Sequence, residues 1–187
     1  MKAQLSYEIL DREITYTGRE LRSGWVFEQT GLSGDAAAAF FGPCQVATED
    51  LVDLEDARAG ATIQSRLMAH LIVELPGCPL PAAVLTQRLL VCILAEILTG
   101  RGVRPRREGD DIYIAGRKLT VSIAAPFRKG CLIHLGINVD ASGAPVPATG
   151  LIELGVNPGE LLEDLLGRFQ AELASASRAE KKVRSVP

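Results

Sequence analysis

The chain is expected to fold as α+β, a mixed or antiparallel sheet with packed helices, and three stretches carry that expectation. Pro81 to Leu98 reads as an interior helix, and Asp111 to Ile123 as two β-rich runs around a Gly-containing turn. Asn157 to Leu173 reads as a capped amphipathic helix. Strands and hairpins around one sheet, covered by a few helices, make this class.

Taken in order, Leu5, Tyr7, Ile9, Ile14 and Tyr16 alternate with polar residues between Gln4 and Tyr16, as edge or half-buried strands do. Thr17 to Leu21 is a turn, and Trp25 to Thr30 fits a short helix or a strand. Gly34 to Pro43 ends in Phe40-Phe41-Gly42-Pro43-Cys44, which reads as a breaker-rich loop. The acidic run Glu49, Asp50, Asp53, Glu55, Asp56 has no regular ligand spacing and reads as a solvated face or a helix N-terminal cluster. Ile63 to Leu75 is apolar enough for a buried strand or a helix, and Pro76-Gly77-Cys78-Pro79 closes it.

In the long helix Val84, Leu85, Leu89, Cys92, Ile93 and Ile97 recur at helical spacing. Pro81 suits its first turn and Gly100 its stop. A basic stretch, Arg101 to Arg107, leads to the hairpin around Ala115-Gly116-Arg117. Cys131 to Val139 is a further strand. Asn157-Pro158-Gly159-Glu160 supplies an N-cap, a proline at the first helical position and a capping-box glutamate, ahead of the stripe Leu161, Leu162, Leu165, Leu166, Phe169, Leu173. Residues 1–175 are expected to form one domain and 176–187 a flexible basic tail.

With 187 residues the chain suits one domain with a full core. Its 20 basic and 23 acidic residues, net −3, argue against a general nucleic-acid binder, which needs a basic face. No stretch is expected to reach the ~20 apolar residues of a membrane span, and Met1 to Glu8 lacks the apolar segment of a signal peptide. Four scattered cysteines and two histidines give neither a zinc cage nor a disulfide framework, so no metal is expected and the reducing cytoplasm is the expected location.

Arg106-Arg107-Glu108-Gly109-Asp110-Asp111-Ile112-Tyr113-Ile114-Ala115-Gly116-Arg117-Lys118-Leu119 resembles a signature of the lipoate and biotin protein ligases, in which an Asn-Asp pair precedes a strand, a tight turn and a lysine. His134-Leu135-Gly136-Ile137-Asn138-Val139 resembles the His-Gly-x-x-x-Asn segment of octanoyl-transferases and the Gly-Ile-Asn-Val of biotin ligases. Taken whole, the chain is also similar to a family known as a domain of unknown function, through Phe41-Gly42-Pro43-Cys44, Val52-Asp53-Leu54-Glu55-Asp56, Gln87-Arg88-Leu89-Leu90 and Gly109-Asp110-Asp111. The resemblance implies the fold shared by biotin ligases and class II aminoacyl-tRNA synthetases. It also implies that Lys118 reaches carbonyl or phosphate oxygens of an activated acyl group. Val121 stands where lipoate ligases have a glycine, and Ala148-Thr149-Gly150 places threonine where octanoyl-transferases have their nucleophilic cysteine. No Arg-Arg-x-x-Gly-Gly-Gly phosphate loop is seen around Ser65 to His70, so the cofactor is left unknown, ATP being possible without its cradle.

Lys118 and His134 are therefore the candidate catalytic residues, and Asp110, Asp111, Arg107, Asn138 and His70 the candidate substrate-binding ones. A cation over a partly dry pocket stabilises an oxyanion or phosphate far better than one in water. The arginine run would meet an anion in fork geometry, or else form a solvated loop. The two histidines are half-buried strand residues unless they meet across the pocket, where they could shuttle protons. Cys44 reads as an unactivated loop cysteine, and Cys92 and Cys131 as buried. Three functions follow: an acyl-transferase or ligase acting on a small carboxylic acid or its activated form, a non-catalytic small-molecule binding module, or a protein that pairs, as a homodimer for instance, through an open sheet edge.

Overall fold

Period-two alternation along three long strands decides the architecture. A computed structural model of the chain describes residues 5–186. Met1 to Gln4 and Pro187 lie outside them, and with them the start of the first expected strand and the last residue of the expected tail. The strands are β1 (Ser6–Ile9), β2 (Ala36–Val46), β3 (Ile63–Pro76), β4 (Pro105–Glu108), β5 (Asp111–Ile114), β6 (Arg117–Lys118), β7 (Thr120–Phe127) and β8 (Gly130–Asp140). The helices are α1 (Trp25–Thr30), α2 (Leu54–Arg58), α3 (Leu80–Gly100) and α4 (Pro158–Lys181).

A five-stranded sheet runs β1-β2-β3-β8-β7, parallel between β1 and β2 and antiparallel elsewhere, and β4-β5-β6 form a small antiparallel sheet of their own. On one face of the main sheet Ala37, Ala39, Ala69, Leu71, Val73, Ile133, Leu135 and Ile137 join Leu90, Leu94 and Ile97 of α3 and Leu161, Leu165 and Phe169 of α4 in a single core. Their neighbours in sequence point the other way. Ala36, Ala38, Phe40, Met68 and Ile72 pack there against Tyr16, Trp25 and Val26. The chain is thus α+β with a mixed sheet, as its pattern predicts.

Several local expectations are overturned. Ala36–Val46 is a continuous strand, not a breaker loop. The break signal of Gly42-Pro43 is spent on a register shift between Gly42 and Cys44, a bulge that accommodates the proline without ending the strand. A Cβ on Gly42 would lie 1.9 Å from the Ile14 carbonyl oxygen, so glycine is what lets the segment from Ile14 to Tyr16 dock there. It docks through Ile14 N–H to Phe41 O and Tyr16 N–H to Pro43 O. The ambiguous stretch from Ile63 is a strand, and Trp25–Thr30 is a helix.

The buried face of α3 is Ala83, Gln87, Leu90, Val91, Ile93, Leu94, Ile97 and Leu98, which keeps Ile93 and Ile97 of the expected stripe. The rest of that stripe lies off its centre, which leaves Leu85 70% exposed and Cys92 only half-buried. This helix also corrects the reading that nothing is long and apolar enough to span a membrane. An 18-residue stretch of its 21 residues reaches a mean hydropathy of 1.7, because it packs at once against β4, β5, β7, β8 and α4. Its glycine stop is Gly102 at φ 81°, followed by Val103 N–H to Leu98 O, rather than Gly100. Arg106 and Arg107 lie in a strand paired with β5, not in a loop.

The last helix has the expected Asn157 cap, accepting from Gly159 and Glu160 N–H. Glu160 instead takes a bond from the Asn157 side-chain amide, not from its backbone. The helix continues to Lys181, past the expected domain end at 175, and only residues 182–186 follow it without helical structure. Small and charged residues favour helix well enough to extend it beyond the apolar stripe.

Candidate functional site

The face of the sheet away from α3 and α4 is not sealed. Between β7, β8, the lower part of β3 and the α2 region lies a cavity of about 360 Å³. Its wall includes Lys118, Asp110, Asp111, His134 and Asn138, five of the seven residues predicted from sequence.

Two hairpin arms place the charged pair. Ala115 and Gly116 both have positive φ (49° and 79°), which gives the two-residue turn a twist matching its strands. The chain then returns along β5, and Lys118 Nζ meets Asp111 Oδ2 at 2.8 Å. The two side chains are 28% and 23% exposed, so the pair is largely withdrawn from water. Burial pulls the Lys118 ammonium down, but the hydrogen bond and charge of Asp111 outweigh it and hold it above the ordinary lysine value. For Asp111 burial wins over Lys118, and its carboxyl is raised. At neutral pH we assign the pair as ammonium and carboxylate, because the contact is short and Lys118 holds its proton more tightly than free lysine does. Lys118 is also fixed through its backbone, which receives Thr149 N–H and donates to Pro147 O.

Asp110 is tied differently. Gln87 Nε2 donates to it at 2.8 Å and to Ser122 Oγ at 2.7 Å. Arg88 Nη1 stands 3.1 Å from Asp110 Oδ1, an ion pair whose alignment falls short of a hydrogen bond. Gly109, at φ 62°, makes the room: a Cβ there would sit 2.5 Å from Arg88 Nη1. The Gln87-Arg88 and Gly109-Asp110-Asp111 motifs, remote in sequence, are therefore one contact between α3 and the small sheet. The burial of Gln87 among helix positions was not predicted. Its signal was a polar residue three before Leu90, inside the apolar stripe.

The two histidines do meet. His70 on β3 and His134 on β8 point to the same face, with His70 Nδ1 3.1 Å from His134 Nε2 and His70 Nε2 3.3 Å from Gly42 O. Both are buried, at 0% and 3% exposure. Tyr16 stacks on His134 at 3.9 Å between ring centroids and 11° between planes, and Phe40 stacks on His70 at 4.9 Å. Burial lowers the His70 imidazole to about 4 against the raising effect of its bond to Gly42. Burial and the neighbouring His70 hold His134 well below its ordinary value. Both rings are neutral at pH 7. His134 lines the cavity and His70 stands behind it, outside the lining.

Val121, expected at the place of a lipoate-ligase glycine, lines the cavity and faces Gly136 across the β7–β8 ladder. A Cβ on Gly136 would come within 3.0 Å of Val121 Cγ2 and 2.8 Å of Met68 Cε. The small residue and the bulky one stand on opposite strands, so the volume filled by one is vacated by the other.

The remaining predicted residues fall elsewhere. Arg107 is exposed, outside the lining, and donates to the carbonyl of Gly109. Thr149 is fully buried with its hydroxyl on Glu153, and it is Ala148 that reaches the cavity. Cys44 is a buried strand residue whose thiol is pushed up to about 12 by burial and by the charge of Glu20. Arg66, at the place of the phosphate loop, is an exposed strand residue paired with Asp140. Sequence reasoning missed Tyr16 and the acidic rim, for Asp50, Asp53 and Asp56 also line the cavity. The acidic run is what was predicted of it, a helix N-terminal cluster: Asp53 caps α2 by accepting from Glu55 and Asp56 N–H.

Residues 5–184 match the family described as Domain of unknown function (DUF366), and the chain belongs to that family. Among solved structures it is similar to the Protein of Unknown Function from Pyrococcus horikoshi, at 38% identity and a TM-score of 0.91, covering 97% of this chain and 100% of that one. It is similar in fold to the biotin protein ligase from Aquifex aeolicus in complex with biotin and ATP, at 16% identity and a TM-score of 0.56, covering 90% and 70% of the two chains. A structure of lipoate-protein ligase A bound with ATP gives 16% identity and 0.56, over 89% and 85%. At these identities the ligases share the fold of this chain.

Proposed function

We propose that this member of the DUF366 family is an acyl-handling protein. In this reading the cavity holds a small carboxylic acid, or its activated form, with the carbonyl over Lys118, and from the activated form the acyl group passes to an acceptor amine, which loses a proton, as the activating group leaves. The observation that carries the reading is the Lys118–Asp111 pair, an ammonium held at 2.8 Å from one carboxylate on the wall of a half-dry cavity, in a ligase-like fold. An ammonium there polarises a carbonyl and stabilises the oxyanion that follows attack. Asn138, whose side-chain amide donates to Lys118 O, orients the lysine backbone.

The charge balance of the wall refines the ligand. Asp50, Asp53, Asp56, Asp110 and Asp111 face one ammonium. Such a wall repels a bare polyphosphate or a free carboxylate and favours an acyl group whose carboxyl charge has been removed by activation, with the charged part of the activating group directed away from the carboxylates. The absence of a glycine-rich phosphate cradle in β3 agrees with that. It also favours a second reading, a binding module that has kept the pocket without nucleotide chemistry.

The test is a thermal-shift screen of an acyl-sulfamate of adenosine, acyl-CoAs, lipoate, biotin and free carboxylates against the wild type, Lys118→Ala and Lys118→Arg. A ligand at a hundredfold over its Kd stabilises the folded state by about 2.7 kcal/mol. The reading expects that gain with an activated acyl compound, its loss in Lys118→Ala and partial retention in Lys118→Arg. An equal gain in wild type and Lys118→Ala would sink it. Binding without any acyl transfer to an added amine would favour the binding module.

A further inference from the structure

The histidine pair has a direction, and the direction decides what the cavity recognises. A backbone carbonyl can only accept, so His70 Nε2, 3.3 Å from Gly42 O, carries the proton. A neutral imidazole protonated there has a lone pair on Nδ1, and that atom faces His134 Nε2 at 3.1 Å. Two lone pairs cannot share this contact, so the proton between the rings belongs to His134 Nε2. The remaining nitrogen of His134, Nδ1, is then an unprotonated acceptor. It has no hydrogen-bond partner among the described residues, and His134, 3% exposed, borders the cavity.

We infer that the chain Gly42 O, His70, His134 holds the His134 Nδ1 lone pair toward the cavity, so that the bound ligand presents an N–H or O–H donor to it. His134 is the specificity-determining contact, and His70 is a positioning residue that acts only through the tautomer it imposes. The assignment stands on the distances above. Burial supports it, because it keeps both rings uncharged, and the stacked rings of Tyr16 and Phe40 resist turning the imidazoles over. Gly42 carries the relay's end because the bulged strand turns its carbonyl toward His70, which sits across from Phe40 in the β2–β3 register. The inference rests on the cavity being the ligand site, and it adds a requirement that Lys118 does not make: Lys118 donates to a carbonyl, whereas His134 Nδ1 must be donated to. A carbonyl compound with an adjacent N–H satisfies both.

The chain has two histidines, so a long-range proton–nitrogen spectrum of the ring-labelled 187-residue chain contains two imidazole systems. At neutral pH both should be neutral and protonated on Nε2. His134 Nδ1 should move upfield on titration with propionamide and stay in place with N,N-dimethylpropionamide, which has no donor. His70→Asn, whose side-chain oxygen replaces Nδ1 as acceptor, should keep the His134 tautomer and the selectivity. His70→Leu should lose both. A charged ring, an Nδ1-protonated His134, or equal shifts with the two amides would each overturn the inference, and the wild-type spectrum alone decides if His70→Leu does not fold. Selective shifts with propionamide alongside no response to any acyl compound would uphold this inference while removing the acyl reading.

Discussion

On the helix side of the main sheet, β2, β3 and β8 present Ala37, Ala39, Leu71, Val73, Ile133 and Leu135, whereas the same strands present Phe40, His70 and His134 on the other. The first face is apolar, largely aliphatic, and sealed by α3 and α4. The second combines rings and buried polar atoms, and it is closed only in part, by α1 and the segment from Ile14 to Tyr16. One residue of register separates the two. The comparison teaches that stability and recognition are assigned to alternate positions of the same strands, so each can be disturbed alone.

The largest expected effect comes from the sealed face. Leu94, fully buried between α3 and the sheet, should cost about 2–5 kcal/mol as Leu94→Ala, through lost transfer free energy and the cavity left behind. Urea denaturation measures this, and the folded fraction should keep wild-type affinity for any cavity ligand. A weakened affinity in the folded fraction would show that the faces are coupled.

The open face should reveal itself through acid. His70 titrates near 6.5 when unfolded and at about 4 when folded. Between those values the unfolded state binds the extra proton, so stability is full above 6.5 and falls as pH drops toward 4. The loss from this group is about 3 kcal/mol, and His134, shifted in the same direction, extends the window lower. Urea midpoints across pH 4–7 should therefore fall more steeply in wild type than in His70→Asn. Equal slopes would mean that His70 is not held neutral by burial.

The sealed face was legible in α4 and β8, though not in β2 or in the exact stripe of α3. The stripe of α4 and the strand Cys131 to Val139 follow from periodicity, which reports burial directly, and the Asn157 cap follows from local hydrogen-bond chemistry. The site was legible only where residues lie close in sequence. Asp111 and Lys118 flank one hairpin, so their pairing could be anticipated. The meeting of His70 with His134, 64 residues away, depends on the register of β3 against β8, which nothing local encodes. Arg107 was misplaced for a similar reason: its strand turns the guanidinium outward, and a basic run gives no sign of that. The Gly42-Pro43 bulge was hidden because glycine and proline are breaker signals locally, whereas pairing with β3 on both sides of the shift carries the strand through.

The smallest effect would sharpen the comparison at the rim. The α2 helix buries none of its residues, so the cap at Asp53, whose carboxylate receives Glu55 N–H at 2.8 Å and Asp56 N–H at 3.1 Å, is a large part of what holds it. Asp53→Ala should cost about 1 kcal/mol locally. That speeds hydrogen exchange of the α2 amides about fivefold and hardly moves the global denaturation midpoint. Asp53→Asn keeps a capping oxygen and removes the charge, so exchange should stay as in wild type. Because Asp53 also lines the cavity, the same two variants separate order from charge in ligand binding. A ligand weakened equally by both senses the carboxylate. One weakened only by Asp53→Ala senses the ordered rim. Unchanged exchange in Asp53→Ala would mean that α2 is held by something other than its cap, and the open face would then be stiffer than its exposure implies.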